Sequence, residues 1–305
     1  MEEQPGTMNM RILITGGTGL LGKALIEEGG RSREITATYL GNYDIADPGG
    51  VKYRKLDLKD TEGYGRLFGE SKPEVVIHTA GLGSPDYVEK NKEESWQVNV
   101  KGTQDIADLC EEYGSKFIYI SSNGIYDGGH APYSEGSEAL PINYYGVLKL
   151  EGEQVTRKAA VPCAIVRPIL MYGWNHPFER GNIVTMALSK LKNNEEFFAY
   201  DDVYSTPLYV KSCAEAIWKI IDTGKYDVFN IGGAERVSVY GLLVKAAEAF
   251  GYDAALVKPV RQGHFNEFTK RPVDTSFNTD KMRKVLGIVP LSVGEGMSKM
   301  KESRP

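Results

Sequence analysis

A tyrosine and a lysine four residues apart are the first groups in this sequence able to do chemistry together. Tyr145 and Lys149 sit in Asn143-Tyr144-Tyr145-Gly146-Val147-Leu148-Lys149, a stretch with helical patterning. At 3.6 residues per turn, such positions differ by about 40° and stack on one helix face. A free phenol ionises at about pH 10. A neighbouring ammonium favours the phenolate and is expected to lower that value, giving a group that can protonate a forming alkoxide. With 18 tyrosines in the chain the pair alone carries little weight, and an incidental aromatic–cation pair is the plain alternative. Its setting adds weight. The apolar run 116–121 leads into Ser122-Asn123-Gly124, which would put the Ser122 hydroxyl beyond a strand's carboxyl end. Open parallel sheets bind ligands there; a turn or N-cap serine is the bland reading.

A second constellation lies near the N-terminus. The apolar run 11–15 passes directly into Gly16-Gly17-Thr18-Gly19-Leu20-Leu21-Gly22 and then an amphipathic segment. Glycines 16, 19 and 22 would allow a tight turn, close approach of a diphosphate to the backbone, and close helix–strand packing. The helix start behind them offers free N–H groups and a positive dipole end. No Gly-Lys-Ser/Thr comes after it, so this is not a Walker loop. The second strand ends in Thr38-Tyr39-Leu40-Gly41-Asn42, with no acid before Asp44. A carboxylate there normally binds the ribose hydroxyls of NAD. Its absence favours NADPH over NADH, although no arginine in that stretch grips a 2′-phosphate, Arg31 and Arg33 preceding the strand.

The elements that must position these groups alternate in period. β-rich runs fall at 11–15, 35–39, 74–79, 116–121 and 163–167, with helical stretches at 20–28, 62–70, 93–113 and 143–158. Strand–helix alternation with near-continuous apolar strands predicts an α/β fold, a Rossmann-type doubly wound parallel sheet. Further on, helices are expected at 183–192, 211–222 and 238–250, strands at 197–200 and 226–231, and a short helix at 279–286. The expected division is a leader at 1–9, a dinucleotide-binding domain at 10–173 rejoined by 203–232, and a smaller C-terminal substrate-binding lobe from 174–202 and 233–305.

Composition excludes several classes. The chain has 305 residues, 41% hydrophobic and 25% charged, with Lys+Arg 36, Asp+Glu 41 and a net charge of −5. These are ordinary globular values. A mildly acidic chain lacks the global field that holds a nucleic-acid backbone. Its apolar runs are too short to span a bilayer, and MEEQPGTMNM is polar, without the apolar region expected of a signal peptide. Cys110, Cys163 and Cys213 include no C-x-x-C, and no two of the four histidines stand at i, i+3 or i, i+4 spacing. Neither a disulfide framework nor a metal site is expected, and free thiols fit a cytoplasmic protein.

Together these residues carry a family resemblance. The glycine turn, Asn99 in Asn99-Val100-Lys101-Gly102-Thr103, Ser122 and Tyr145-x-x-x-Lys149 resemble the extended short-chain dehydrogenase/reductase superfamily. More narrowly, the chain looks like the dTDP-4-dehydrorhamnose reductase family. Supporting stretches include Asp57-Leu58, His78-Thr79-Ala80-Gly81, Arg167-Pro168-Ile169-Leu170-Met171-Tyr172-Gly173, Ser205-Thr206-Pro207 and Arg271-Pro272. The resemblance implies NADPH as cofactor, with NADH as the variant. Gly16, Thr18, Gly19, Leu20, Leu21, Gly22 and Tyr39 belong to its dinucleotide-binding region. Asp57 and Leu58 would contact the adenine, Ala80 and Gly81 the ribose–diphosphate, and Pro168 the nicotinamide carboxamide. Tyr145 would be the proton donor, Lys149 would hold the nicotinamide ribose, Ser122 would polarise a carbonyl, and Asn99 would support the helix behind the lysine. Arg271 is a candidate diphosphate contact for a nucleotide-sugar substrate, a surface arginine being its alternative. The family's usual Trp is replaced by Leu170, with Trp174 nearby but out of register. That departure bears on the sugar rather than on the chemistry.

The expected activity is reduction of a nucleotide-linked 4-keto-6-deoxysugar, as in dTDP-rhamnose biosynthesis. One alternative is a sugar-nucleotide epimerase or dehydratase, but Asn123 stands where a dehydratase needs an acid. The other is a non-catalytic NADP-binding subunit like the regulatory subunit of methionine adenosyltransferase, a relative with the same fold. Superfamily members commonly dimerise through the helices expected at 93–113 and 143–158, which makes a homodimer the expectation by resemblance.

Overall fold

The computed structural model describes residues 9–29, 33–43, 45 and 50–304. The leader expected at 1–9, apart from residue 9, and Arg31 and Asp44 lie outside the described residues.

Five short apolar runs become β1 (Met10–Thr15), β2 (Arg33–Tyr39), β4 (Val75–His78), β5 (Lys116–Ile120) and β6 (Cys163–Pro168). A strand not expected from the sequence, β3 (Val51–Lys55), lies outside β2. With Val228–Ile231 they form a parallel sheet in the order Val228–Ile231, β6, β5, β4, β1, β2, β3. Val75, Val76, Ile77 and His78 are all buried. A sheet covered on both faces requires such unbroken apolar strands. The chain order reverses between β1 and β4, so the loops after these strands diverge and leave a crevice at their carboxyl ends.

Helices α1 (Leu20–Glu28), α2 (Thr61–Ser71), α3 (Pro85–Lys90), α4 (Lys92–Trp96), α5 (Gly102–Tyr113) and α6 (Tyr144–Lys158) alternate with these strands. The helix expected at 93–113 is interrupted. Gln97–Lys101 forms a π-helical turn between α4 and α5, and it carries Asn99. Such single turns widen a helix locally and re-aim side chains, often at functional sites. Beyond β6 come α7 (Ile183–Lys192), α8 (Val210–Thr223), α9 (Val239–Phe250) and α10 (Val293–Glu302). Asn143 and Asn182 cap α6 and α7, and Ser292 with Glu295 forms a capping box on α10. The segment expected as a helix at 279–286 is mostly a π turn, Met282–Leu286.

One apolar cluster packs α1 and α8 onto the sheet, and a second packs α2 and α5 onto it. A third gathers Tyr172 with residues of α7, α9 and α10. Cys110 and Cys213 are buried thiols held protonated by desolvation, and Cys163 is half-buried.

A buried ion pair fastens α6 to the sheet. Glu153 is fully buried and accepts from Arg167 Nε at 2.7 Å and Nη2 at 2.6 Å, and from Ser121 Oγ at 2.6 Å. Arg167 also donates to the Tyr126 hydroxyl and the Glu135 carbonyl. Truncating one partner leaves the other buried and unpaired. Glu153→Ala should therefore cost about 3–5 kcal/mol of stability in urea unfolding. A loss below about 1 kcal/mol would mean that the pair does not hold α6 in place.

Candidate functional site

All the loops singled out by the sequence meet at the carboxyl edge of the sheet. The glycine turn leaves β1, Thr79-Ala80-Gly81 leaves β4, Ser121-Ser122 leaves β5, and Pro168 ends β6. The glycines are there for space. Gly16 has φ +71°, and a Cβ on it would stand 2.9 Å from the Ala80 backbone. At Gly22 a Cβ would lie 2.3 Å from the Gly16 carbonyl oxygen, so only glycine lets α1 start tight against the turn. Gly19 caps α1 without a side-chain hydrogen bond, and the first turn of α1 holds no acid. A positive, uncapped helix start of this kind accepts an anion such as a diphosphate.

Behind the turn runs a closed chain of hydrogen bonds. Ala80 N–H donates to Thr15 Oγ1, and Thr103 Oγ1 donates to the Asn99 carbonyl. Between them His78 Nδ1 meets Thr15 Oγ1 at 2.8 Å and Nε2 meets Thr103 Oγ1 at 3.1 Å. Because Thr103 already gives its proton to Asn99, the consistent assignment makes Nε2 the donor and Nδ1 the acceptor. That requires a neutral ring, and burial lowers the His78 pKa to about 3, helped by Lys149. The Asn99 amide then clamps Leu82, accepting from its N–H at 2.7 Å and donating to its carbonyl at 3.0 Å.

The chemical groups stand next to this clamp. Lys149 Nζ donates to the Ile120 carbonyl at 3.0 Å and lies 5.2 Å from the centroid of the Tyr119 ring. A Cβ on Gly81 would be 3.9 Å from Lys149 Nζ. Gly124 and Gly146 allow the turn after β5 to rest on the first turn of α6, since a Cβ on Gly146 would meet the Gly124 carbonyl oxygen at 2.1 Å. That contact brings Ser122 to the Tyr145 phenol. Ser122 Oγ also accepts from Gly124 N–H at 3.0 Å, so the turn-capping reading of this serine holds as well.

The electrostatics depart from the sequence expectation at Tyr145. Its phenol is pushed up by burial, with the Ser122 hydrogen bond pulling partly back. Lys149 is not among the groups acting on it; its ammonium is directed to the Ile120 carbonyl instead. Burial lowers the Lys149 pKa to about 8, against an upward pull from Glu153.

The other expected residues are more scattered in their surroundings. Tyr39 ends β2, edge-on to Tyr53 of β3. Asp57 comes just after β3 and caps the Lys59 N–H, whereas Leu58 is buried against Gly102 beside α2 and α5. Arg271 is not free: Nη2 binds Asp86 at 3.0 Å and Nε binds Glu267 at 3.4 Å. Trp174 donates to the Met300 carbonyl and packs edge-on against Phe250.

Two contacts went unread in the sequence. Arg54 and Lys55 pair in register with Thr38 and Tyr39, placing two exposed cations beside the end of β2. The alternation of Val51 and Tyr53 with Lys52 and Arg54 was the available signal. The second is Thr18, whose hydroxyl donates to Glu179 at 2.7 Å across 161 residues of chain, with no local pattern to announce it. Among the described residues, no cluster of three His, Cys, Asp or Glu could hold a metal, and no helix is long and apolar enough to cross a membrane.

A parallel sheet with this order, a glycine turn at its switch point and a Ser–Tyr–Lys set define an extended short-chain dehydrogenase/reductase. Within that class, the chain belongs to the family of the RmlD substrate binding domain, whose model matches residues 10–303. It is 30% identical over 294 residues to methionine adenosyltransferase 2 subunit beta of Xenopus laevis, covering 93% of this chain and 85% of that protein. It is 26% identical to a probable low-salt glycan biosynthesis reductase of Haloferax volcanii, over 91% of this chain and 93% of that one. Among solved structures, dTDP-4-dehydrorhamnose reductase of Bacillus anthracis in complex with NADP superposes with a TM-score of 0.84 at 25% identity, covering 97% of this chain and 100% of that one.

The buried lysine makes a pH signature. Its folded pKa of about 8 lies below the ordinary 10.5, so between these values the unfolded chain binds more protons. Stability from this group therefore rises with pH across that window, by up to about 1.4 kcal/mol per unit. Relative to Lys149→Met, the wild type should gain about 1–2 kcal/mol between pH 7.5 and 9.5 in urea unfolding. A difference that stays flat would place the ammonium in water.

Proposed function

We propose that this protein binds NAD(P)(H) at the β1–β4 crevice and works as a dinucleotide-binding subunit of an enzyme. The model for this reading is the regulatory subunit of methionine adenosyltransferase. The residues that would hold the dinucleotide are the glycine turn with Thr18, Leu20 and Leu21, then Tyr39, Asp57, Ala80, Gly81, Asn99, Tyr145, Lys149 and Pro168. They fit it: the helix start is uncapped, the close approaches are glycine, and the polar clamp is satisfied. Arg54 and Lys55 beside an acid-free β2 end support NADPH over NADH. In this division 10–173 with 203–232 carries the dinucleotide, and 174–202 with 233–305 forms the smaller lobe.

The observation that carries the binding-subunit reading is the state of Arg271. Two carboxylates already share this one guanidinium, so the diphosphate of a nucleotide sugar would have to displace one of them to reach it. The similarity to the methionine adenosyltransferase subunit along most of the chain supports the same reading.

A second reading is favoured by the Ser122–Tyr145–Lys149 set and by the two reductases among the relatives: reduction of a nucleotide-linked 4-keto-6-deoxysugar. A bound nicotinamide would supply the hydride. The chain would supply a hydrogen bond from Ser122 to the substrate carbonyl and a proton from the Tyr145 hydroxyl. A phenol held protonated by burial suits a proton donor. An epimerase or dehydratase has less support, since Asn123 is no acid and its amide is bonded to Thr275.

One set of measurements separates them. The binding reading predicts NADPH affinity, co-elution with the catalytic subunit of a methionine adenosyltransferase, and no loss of nicotinamide absorbance with 4-keto nucleotide sugars. Turnover of such a sugar that falls about 10²–10⁴-fold in Tyr145→Phe, with NADPH affinity unchanged, would instead make the protein a reductase.

A further inference from the structure

The segment after Gly173 folds back over the crevice. Its two ends are pinned together: Asn175 Oδ1 accepts from Asn182 Nδ2 at 2.8 Å, and the same Asn182 amide donates to the Gly173 carbonyl at 2.7 Å. Asn182 also caps α7, so the base of this loop is anchored. Glu179 N–H donates to the His176 carbonyl, closing a tight turn at the tip. The tip reaches two parts of the dinucleotide region at once. Phe178 stacks on Tyr43, just past the end of β2, with centroids 4.1 Å apart and planes at 20°. Glu179 accepts from Thr18, immediately before the N-cap of α1.

This places a carboxylate on the Thr18 hydroxyl, beside the anion-seeking start of α1. The first turn of α1 has no acid and its N-cap is a glycine, so neither offers the helix start a negative group. Glu179 supplies one from outside. Tip and base are held differently: the base by hydrogen bonds among Asn175, Asn182 and Gly173, the tip by one stack and one hydroxyl. Phe178 is exposed, and His176, stacked on Phe178 at 4.9 Å, keeps its Nε2 buried with no partner among the described residues.

We propose that loop 174–181 is a strap across the dinucleotide crevice, in which the Glu179 carboxylate occupies the place of the cofactor's diphosphate. The inference rests on the dinucleotide-binding reading above. Two anions cannot share one helix start, so the dinucleotide enters as Glu179 leaves Thr18 and the Phe178–Tyr43 stack opens. The strap thereby sets cofactor affinity: the free energy of closing it is subtracted from that of binding. It also selects for the diphosphate, since a ligand without one has nothing to exchange for the carboxylate.

The test is a titration of NADP⁺, ADP and adenosine against wild type, Glu179→Gln and Phe178→Ala, with stopped-flow association rates for NADP⁺. Gln keeps the acceptor on Thr18 and removes the charge. Glu179→Gln should bind NADP⁺ and ADP about 5- to 30-fold more tightly, the scale of an anion's interaction with a partly buried helix start. Adenosine affinity should be unchanged. Phe178→Ala should speed NADP⁺ association. If Glu179→Gln binds NADP⁺ as well as or less well than wild type, the carboxylate does not compete and the strap is overturned. If no variant and no wild type binds any of the three, the dinucleotide reading fails first, and the strap with it.

Discussion

The site depends on one buried polar chain, from Thr15 through His78 and Thr103 to the backbone of Asn99. It links the end of β1, the end of β4 and the π turn ahead of α5, the three places where the crevice is cut. Every donor in it has an acceptor, provided that the imidazole stays neutral. A half-satisfied chain at this depth would cost more than an apolar core, because unpaired groups in a low dielectric are expensive. Satisfied, it fixes the distance between the glycine turn and the loop after β4. The Asn99 amide extends that order to Leu82, and so to the strand exit beside Lys149.

Lys149 is the tension in this arrangement. A protonated amine beneath a sheet edge is penalised by burial, and its pKa of about 8 records the penalty. Three features reduce the cost without removing it: the Ile120 carbonyl, the face of Tyr119, and the negative charge of Glu153 one turn further along α6. Glu153 is itself largely committed to Arg167, so it supports the ammonium without neutralising it. The lysine is thus poised near neutrality in the protein alone. Tyr145, with no such charge acting on it, remains an ordinary protonated phenol with burial added.

Features governed by local rules could be read from the sequence. Glycines 16 and 22 and the apolar runs of β1, β4, β5 and β6 were legible because tight backbone approach and two-sided burial leave few residue choices. Tyr145 and Lys149 were legible because helical spacing puts them on one face. β3 was hidden by its exposed charges at an edge position, and with it the cations Arg54 and Lys55. The break at 97–101 was hidden because a π turn keeps nearly the same apolar pattern as the helix it interrupts. Long-range pairings left no trace: Arg271 with Asp86, Trp174 with Met300, and Thr18 with Glu179 each join segments more than 100 residues apart.

Those unread pairings are what separates the two proposed readings, which the local motifs leave equal. Tyr145 and Lys149 suit a reductase and a dinucleotide-binding subunit alike, because in either proposed reading they would stand beside the nicotinamide ribose whether or not a carbonyl is then reduced. The difference has to come from the far side of the crevice, where a substrate needs free charge and open space. There Arg271 is taken by Asp86 and Glu267, and Trp174 lies against α10. Charge satisfied within the fold is not available to a ligand unless the ligand displaces a carboxylate, and that exchange has a cost in proportion to the pairing it breaks. On the proposed readings, a nucleotide sugar would meet that cost at Arg271 and a dinucleotide would meet it at Thr18. The start of α1, with no acid in its first turn, would offer the dinucleotide a return for it; two carboxylates on one guanidinium would offer the sugar none.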